Sequence, residues 1–250
     1  MTEVEWLAYR TEPKAMLSWL RGKATNRKKR LFGFACCRRI WNLIGNEKIR
    51  SAVLLAERFA DGLLTDEERA VAHAEAEAVA RESGLAMHDR ALWACANVLH
   101  KYPGIAINAS YNAVHVVQWD ALVRAGFYRA GQPVYSPEFD ALNRRAYDEE
   151  QGEQCDIVRE LFGNPFRPLP PRRDKRKWHE RKQRWREAND GAVRKLAEVI
   201  YADSRFADCP ILADALEDAG CADAELLGHL RSPGPHVRGC WALDLILGKE

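Results

Sequence analysis

Apolar residues recur at intervals of three and four along most of the chain, which is the spacing of one face of an α-helix. The clearest stripe consists of Ile49, Val53, Ala56, Phe59, Ala60 and Leu63. Residues typical of helix N-caps precede several such stripes, namely Thr2, Thr25, Asn46 and Thr65. The pattern predicts an all-α protein, built as a bundle-like or orthogonal array of many helices with almost no strand.

The later part of the chain is divided by a proline-rich segment. A helix is predicted over 108–125, a short one from Ser136, and another over 155–162. Four prolines between Pro165 and Pro171 then forbid a continuous helix. Further helices are predicted over 191–201, 211–219, 223–230 and 237–247. We therefore expect an N-terminal helical domain over 1–165, a proline-rich linker with a basic segment over 166–188, and a C-terminal helical unit over 189–250.

Composition favours a folded protein in a reducing compartment. The 250 residues are 47% hydrophobic, which is ample for a buried core. The uncharged stretch Tyr102–Trp119 contains too many polar residues for a membrane span, so no membrane partner is expected. The seven cysteines are odd in number and scattered, and the N-terminus does not resemble a signal peptide. Reduced thiols and a cytoplasmic location are therefore predicted.

The positive charge is concentrated in two blocks. Arg21–Arg39 contains eight basic residues and no acidic one, and Arg167–Arg186 contains ten basic residues and two acidic ones. Each block carries +8 although the whole chain carries only +2, so the remainder carries −14. Such segregation is typical of polyanion binding, but the acidic remainder can also neutralise the blocks within the fold.

The first block places Arg27, Lys28, Lys29 and Arg30 at a predicted helix start, where the helix macrodipole disfavours cations. A bound phosphate would offset this cost, and so would acidic side chains from elsewhere in the fold. The acidic remainder of the chain favours the second explanation. This block also interleaves with apolar positions, as expected of a segment that belongs to the folded body.

The second block combines cations with two tryptophans seven residues apart, Trp178 and Trp185, which would share one face of a helix. Its candidate binding cations are Arg172, Arg173, Lys175, Arg176, Lys177, Arg181, Lys182, Arg184 and Arg186. Lysine and arginine pair with phosphates, and tryptophan either stacks on bases or packs on the body. The alternative is a solvated helix that its tryptophans hold in place or the acidic body neutralises.

Metal and catalytic sites have weaker sequence support. Cys221, His229, His236 and Cys240 offer zinc-ligand types, but they lack a Cys-x-x-Cys spacing, so neither a metal nor another cofactor is predicted. If 237–247 and the preceding residue were helical, His236, Cys240 and Asp244 would share a face and permit a Cys/His enzyme. Spacing alone does not make these residues a catalytic group.

Several segments resemble an uncharacterised family of paralogous proteins in planctomycete bacteria. They are Gly234–Trp241 (GPHVRGCW), Asp244–Lys249 (DLILGK), Ala35–Trp41 (ACCRRIW) and Leu161–Pro168 (LFGNPFRP). The resemblance implies no activity, cofactor or catalytic residue, because none is established for that family. Where such proteins are expected to continue through a short tryptophan-containing link, this chain has the basic run Arg172–Arg186.

These patterns together favour a non-enzymatic binding or accessory protein that engages nucleic acid or a nucleoprotein. The expected contacts are Arg27–Arg30 and Arg172–Arg186, with the second block as the first place to look for a partner. A protein-interaction module with an acidic protein partner is one alternative, and a Cys/His-dependent enzyme is the other.

Overall fold

The computed structural model describes residues 1–20, 22–83, 90–129, 131–167 and 175–249. The first eight helices are α1 (Glu3–Ala8), α2 (Pro13–Trp19), α3 (Asn26–Arg39), α4 (Glu47–Ala60), α5 (Asp66–Ser83), α6 (Arg90–Val98), α7 (Pro103–Ala106) and α8 (Asn108–Arg124). A small antiparallel hairpin follows, formed by β1 (Tyr128–Arg129) and β2 (Gln132–Pro133). The remaining helices are α9 (Pro137–Phe162), α10 (Lys175–Ala202), α11 (Cys209–Asp218), α12 (Ala224–Arg231) and α13 (Trp241–Leu247). The chain is all-α, as predicted.

The chain divides into two compact units. The 8–156 unit consists of Ala8–Asp156, and the 157–250 unit consists of Ile157–Glu250 together with Met1–Leu7. The division falls inside α9, whereas the sequence places it after that helix, at residue 165. From Lys175 onward, the basic segment that was expected to lie between the two domains forms the first half of α10, within the 157–250 unit.

The first seven residues belong to the 157–250 unit through specific hydrogen bonds. Arg159 Nη1 donates to the carbonyl oxygen of Trp6 at 2.9 Å, and Asn164 Nδ2 donates to Glu3 Oε1 at 2.7 Å. Trp6 itself is fully buried. Contacts between residues so distant in sequence leave no local pattern, which is why the sequence analysis assigned this segment to the N-terminal domain.

Local capping chemistry sets the starts of several helices. The predicted N-caps Thr2, Thr25, Asn46 and Thr65 all accept hydrogen bonds from backbone N–H groups of the helices they precede. The capping box at Thr65 is reciprocal, because the Thr65 N–H donates to Glu68 Oε2 at 2.8 Å. These four predictions are confirmed.

The core of the 8–156 unit forms around α3, which packs against α4, α6, α7 and α8. Its inward residues include Leu31 and Phe32, both fully buried. Gly33 permits the close approach of α7, because a Cβ at this position would lie only 2.4 Å from the carbonyl oxygen of Ala106. The uncharged segment forms α7 and most of α8. Within the described residues, no helix has the length and apolarity that a membrane crossing needs.

Helix α9 is a single helix of 26 residues, although the sequence predicted two short ones. Its middle buries polar side chains instead of an apolar stripe. The Arg39 guanidinium donates to both carboxylate oxygens of Glu150 at 2.9 Å, and Gln154 Nε2 donates to the carbonyl oxygen of Ser110 at 3.1 Å. Because these buried residues are polar, hydrophobic periodicity does not detect the middle of the helix.

The 157–250 unit has its own hydrophobic core, to which α10, α11, α12 and α13 contribute. Helix α10 contains a local break, since Ala188–Gly191 has non-helical backbone angles with positive φ at Asn189, Asp190 and Gly191. The predicted helix over 237–247 begins only at Trp241. His236 therefore lies in the segment before α13, and the expected helical face shared by His236 and Cys240 is wrong.

Candidate functional site

Four side chains with metal-ligand chemistry converge inside the 157–250 unit. Glu160 lies in the last turn of α9, His229 in the last turn of α12, His236 in the segment before α13, and Cys240 at the N-cap of α13. One carboxylate oxygen, one nitrogen of each imidazole and the Cys240 sulfur all lie within 4.8 Å of one another. We refer to these four residues as the Glu160 cluster.

Local structure explains why these helix ends meet. Gly163 ends α9 with a left-handed φ of +63°, and its Cα faces the indole ring of Trp241, the residue after Cys240. Asp223 starts α12 by accepting a hydrogen bond from the Leu226 N–H at 3.0 Å. The segment between α12 and α13 then carries His236 and returns the chain to Cys240.

Glu160 is the centre of the cluster. Its Oε1 lies 3.1 Å from His236 Nδ1, and its Oε2 lies 3.3 Å from His229 Nε2. His229 Nε2 also lies 3.2 Å from Cys240 Sγ. One carboxylate thus bridges two imidazoles, and one of these imidazoles faces the thiol.

Most of the cluster lies away from solvent, although the side chain of His229 is 17% exposed. The side chains of Glu160 and His236 are 3% and 6% exposed, and Cys240 is completely buried. Burial by itself opposes ionisation of the Glu160 carboxyl, but hydrogen bonds from His229 and His236 outweigh it and lower its pKa to about 2. Burial also acts against the charged form of His236, yet the Glu160 carboxylate raises the His236 pKa overall. The cluster therefore contains a carboxylate that is ionised at neutral pH.

Two aromatic contacts close the cluster. The Trp241 ring lies 4.9 Å from the His229 ring, and the two imidazoles are 5.1 Å apart in an edge-on arrangement. The same tryptophan covers Gly163. The indole ring of Trp241 therefore packs between the end of α9 and the His229 side of the cluster.

Three members of the cluster, His229, His236 and Cys240, have zinc-ligand side chains that the sequence shows, although their spacing did not predict a metal site. Cys221, the other residue of that sequence group, is not one of the four side chains that converge. Glu160 takes its place and was missed. Glu160 lies three residues after the buried Ile157 and therefore shares the inward face of α9. A carboxylate on the buried face of a helix is unusual, and this was the sequence feature that could have indicated a site.

The structure does not support Cys240 as an activated nucleophile. Burial and the neighbouring Glu160 carboxylate raise the pKa of the Cys240 thiol well above its ordinary value. A Cys/His-dependent enzyme would need the thiolate form of this side chain, and a depressed thiol pKa is the usual way to obtain it. The buried Cys240 has the opposite shift.

In the first basic block, the cations at the start of α3 are used largely within the 8–156 unit. Arg27 pairs with Asp61 at 2.9 Å, and the buried Arg30 donates to the carbonyl oxygens of His100 and Lys101 at 2.8 Å. Lys28 is also buried, whereas Lys29 is half-buried. Three of these four cations are therefore paired or buried within the fold and are poorly placed for an external partner. For Arg27, the neutralising group is an acidic side chain from elsewhere in the fold, as the second explanation predicted.

The second block has two distinct faces. Trp178 and Trp185 are buried in the core of the 157–250 unit, with their rings edge-on at 5.3 Å, so their expected role as base-stacking groups is wrong. Arg176, Arg181 and Arg184 are exposed. Lys182 and Arg186 are half-buried beside the tryptophans. Arg172 and Arg173, and the side chains of Lys175 and Lys177, lie outside the described residues.

Comparisons with protein-family models, curated proteins and solved structures gave no match to this chain. The resemblance to planctomycete paralogues stays a prediction from the quoted motifs.

Proposed function

We propose that the chain binds nucleic acid through the exposed basic face of the first half of α10. The observation that carries the proposal is the arrangement of this helix, in which Trp178 and Trp185 are buried while Arg176, Arg181 and Arg184 are exposed. The partner chemistry is a phosphodiester backbone, because arginine matches phosphate oxygens in both charge and hydrogen-bond geometry.

The exposed arginines remain available to a partner. Arg176 pairs only loosely with Glu180, at 3.7 Å and with both side chains in solvent, and such pairs contribute about 0–1 kcal/mol. Arg181 lies 5.7 Å from the Trp178 ring centroid, which orients it without neutralising it. Within the described part of the chain, neither Arg181 nor Arg184 forms an ion pair.

The two buried tryptophans support binding indirectly. They hold the helix on the core of the 157–250 unit, so the arginines are positioned before a partner arrives and less conformational entropy is lost on binding. The N-terminal end of α10 adds the partial positive charge of the helix dipole to the same region. Because the tryptophans cannot stack on bases, we expect backbone contacts with little sequence preference.

Salt dependence provides the test. Fluorescence anisotropy would measure the affinity of the full chain for labelled duplex DNA and for single-stranded RNA of mixed sequence over a range of salt concentrations. Each phosphate contact contributes about −0.9 to the slope of log K against log salt for duplex DNA. The variant R176Q/R181Q/R184Q should therefore bind more weakly and show a slope shallower by about 2–3.

A matched control separates local binding from a general charge effect. The variant R124Q/R145Q/R194Q removes the same number of charges from exposed arginines outside the proposed surface, each of which pairs with a carboxylate one turn along its helix. It should keep the parent slope. If both variants lose affinity equally, or if the parent chain binds neither nucleic acid at low salt, the proposal is wrong, and the second outcome would favour an acidic protein partner.

The cytoplasmic location belongs to the same proposal. All seven cysteines are free and buried, as expected of a protein that folds in a reducing compartment. Intracellular nucleic acid would be accessible to it there.

A further inference from the structure

We propose that Glu160, His229, His236 and Cys240 bind a zinc ion, a property independent of the nucleic-acid proposal. The four ligand atoms come from four separate parts of the 157–250 unit and lie within 4.8 Å of one another. Two imidazole nitrogens, one carboxylate oxygen and one sulfur make up the donor set. Zinc accepts all three ligand types and favours four of them in a tetrahedron.

The observed separations suit an ion of this size. With zinc bonds of about 2.0–2.3 Å, ligand atoms in a tetrahedron lie about 3.3–3.6 Å apart. The closest pairs in the cluster are separated by 3.1 Å (His236 to Glu160), 3.2 Å (His229 to Cys240) and 3.3 Å (His229 to Glu160). These three pairs, which involve both oxygens of Glu160, are within a few tenths of an ångström of the tetrahedral spacing. The most distant ligand atoms of the cluster lie up to 4.8 Å apart, so they would approach one another by about 1–1.5 Å to surround a common centre.

The orientation of His236 is the second argument. Its Nε2 lies 3.1 Å from the carbonyl oxygen of Ser232, a group that can only accept a hydrogen bond. In the neutral ring Nε2 therefore carries the proton, and Nδ1 presents its lone pair to the Glu160 carboxylate at 3.1 Å. Two electron-rich atoms at this distance need a proton or a cation between them. A backbone carbonyl that fixes the remote nitrogen is also a usual outer partner of a zinc-bound histidine.

The state of the Cys240 sulfur differs between a zinc-bound cluster and a metal-free cluster with a protonated His236. A second proton on His236 would satisfy the Glu160 carboxylate, but it would leave the buried Cys240 sulfur facing His229 as a neutral thiol. A zinc ion at the centre would engage all four groups at once, with the thiol deprotonated and its proton released to solvent. The two possibilities therefore predict different states of the sulfur.

The role we assign to the ion is structural. All four tetrahedral positions are supplied by protein, and the Glu160 and Cys240 ligands are buried. A catalytic zinc instead keeps one position open to water or substrate. The ligands connect the end of α9, the end of α12, the following segment and the start of α13. The ion would stabilise this corner of the 157–250 unit.

The experiment uses the full chain without an affinity tag, purified after expression in zinc-supplemented medium. Elemental analysis should give about one zinc per chain. After replacement of zinc by cobalt, the absorption spectrum should show intense visible bands of tetrahedral Co²⁺ and a near-ultraviolet band from thiolate-to-cobalt charge transfer. A chain that binds no zinc, or a cobalt spectrum without the thiolate band, overturns the proposal.

Two cysteine variants test the assignment of the ligand. C240A should lose the charge-transfer band and weaken zinc binding by more than the roughly 10–100-fold expected when an outer partner is lost. C221A is the matched control, because Cys221 is buried in the same core but is not one of the converging ligands. It should keep the band and the affinity. If C240A does not fold, the cobalt spectrum of the unmodified chain still decides the question, and a band lost in C221A but kept in C240A contradicts the ligand set.

Discussion

Gly163 follows the last residue of α9 and packs against Trp241, the first residue of α13. Its φ of +63° lies in the left-handed region, and a Cβ at this position would lie 3.1 Å from Cγ of Trp241. An alanine here is strained by its backbone conformation, and it also pushes on the ring that covers His229. We therefore expect G163A to destabilise the chain by more than the roughly 1–2 kcal/mol that a left-handed alanine costs.

Gly220 provides the control for this prediction. It has a φ of +84° in the same unit, and nothing lies within 4 Å of its ideal Cβ position. G220A should therefore show the backbone cost alone, about 1–2 kcal/mol. Urea unfolding followed by circular dichroism measures both free energies of unfolding. Equal losses in the two variants would show that the contact with Trp241 contributes nothing.

Three members of the Glu160 cluster could be recognised from the sequence, and Glu160 itself could not. His229, His236 and Cys240 were recognisable because histidine and cysteine are infrequent and were already near one another in sequence. Glu160 was not, because glutamate is common on helix surfaces and lies far from the others along the chain. Only the fold places its carboxylate between the two imidazoles.

At the scale of elements, helix α10 owes its position to Trp178 and Trp185. Both indoles are buried, and they contact each other edge-on at 5.3 Å. Truncating Trp185 to alanine removes one ring of this pair and leaves a cavity in the core. We expect W185A to lower the free energy of unfolding by about 3–5 kcal/mol.

An exposed apolar residue in the same unit is the control for W185A. Ile211 on α11 is 57% exposed, so I211A should change stability by no more than about 0.5 kcal/mol. Chemical denaturation of both variants gives the comparison. If W185A costs as little as I211A, the tryptophans do not anchor the helix, and the exposed arginines of the same helix are not held in place.

The other helices and strands were predictable where the residues that determine them are close together in sequence. Helices with local caps, such as α3 after Thr25 and α4 after Asn46, were located correctly. Helix α9 was predicted as two pieces, because its buried middle is held by the Arg39 pairing with Glu150 and not by apolar side chains. The hairpin of β1 and β2 was missed, since strands of two residues are too short to show an alternating pattern.

At the scale of the whole molecule, the two basic blocks differ in how the fold uses their charge. Both carry +8 in sequence. In the 8–156 unit, Arg27, Arg30 and Arg39 are satisfied by carboxylates or backbone carbonyls. In the 157–250 unit, Arg176, Arg181 and Arg184 of the second block are exposed, and only Arg176 has an ion-pair partner among the described residues, the loosely placed Glu180. Composition could not distinguish these cases, because the difference depends on which side chains the fold brings together.

Because the chain divides into two units, the proposed zinc ion should stabilise only one of them. All four ligands belong to the 157–250 unit. Binding to the native state alone stabilises it, so removal of the ion should increase local opening near the ligands. We predict that chelation accelerates amide hydrogen exchange in α12, in α13 and in the last turns of α9. Mass spectrometry of peptic fragments measures this change.

Helices of the 8–156 unit supply the internal reference for the same experiment. Helices α3, α4 and α8 contain none of the four ligands, so their exchange should be the same with and without the chelator. Restoring zinc should return the 157–250 unit to slow exchange, whereas magnesium should not, because Mg²⁺ prefers oxygen ligands in an octahedron. Exchange that rises equally in both units would show that the ion, if bound, does not act through this corner of the fold. Unchanged exchange throughout would contradict a structural role for the metal.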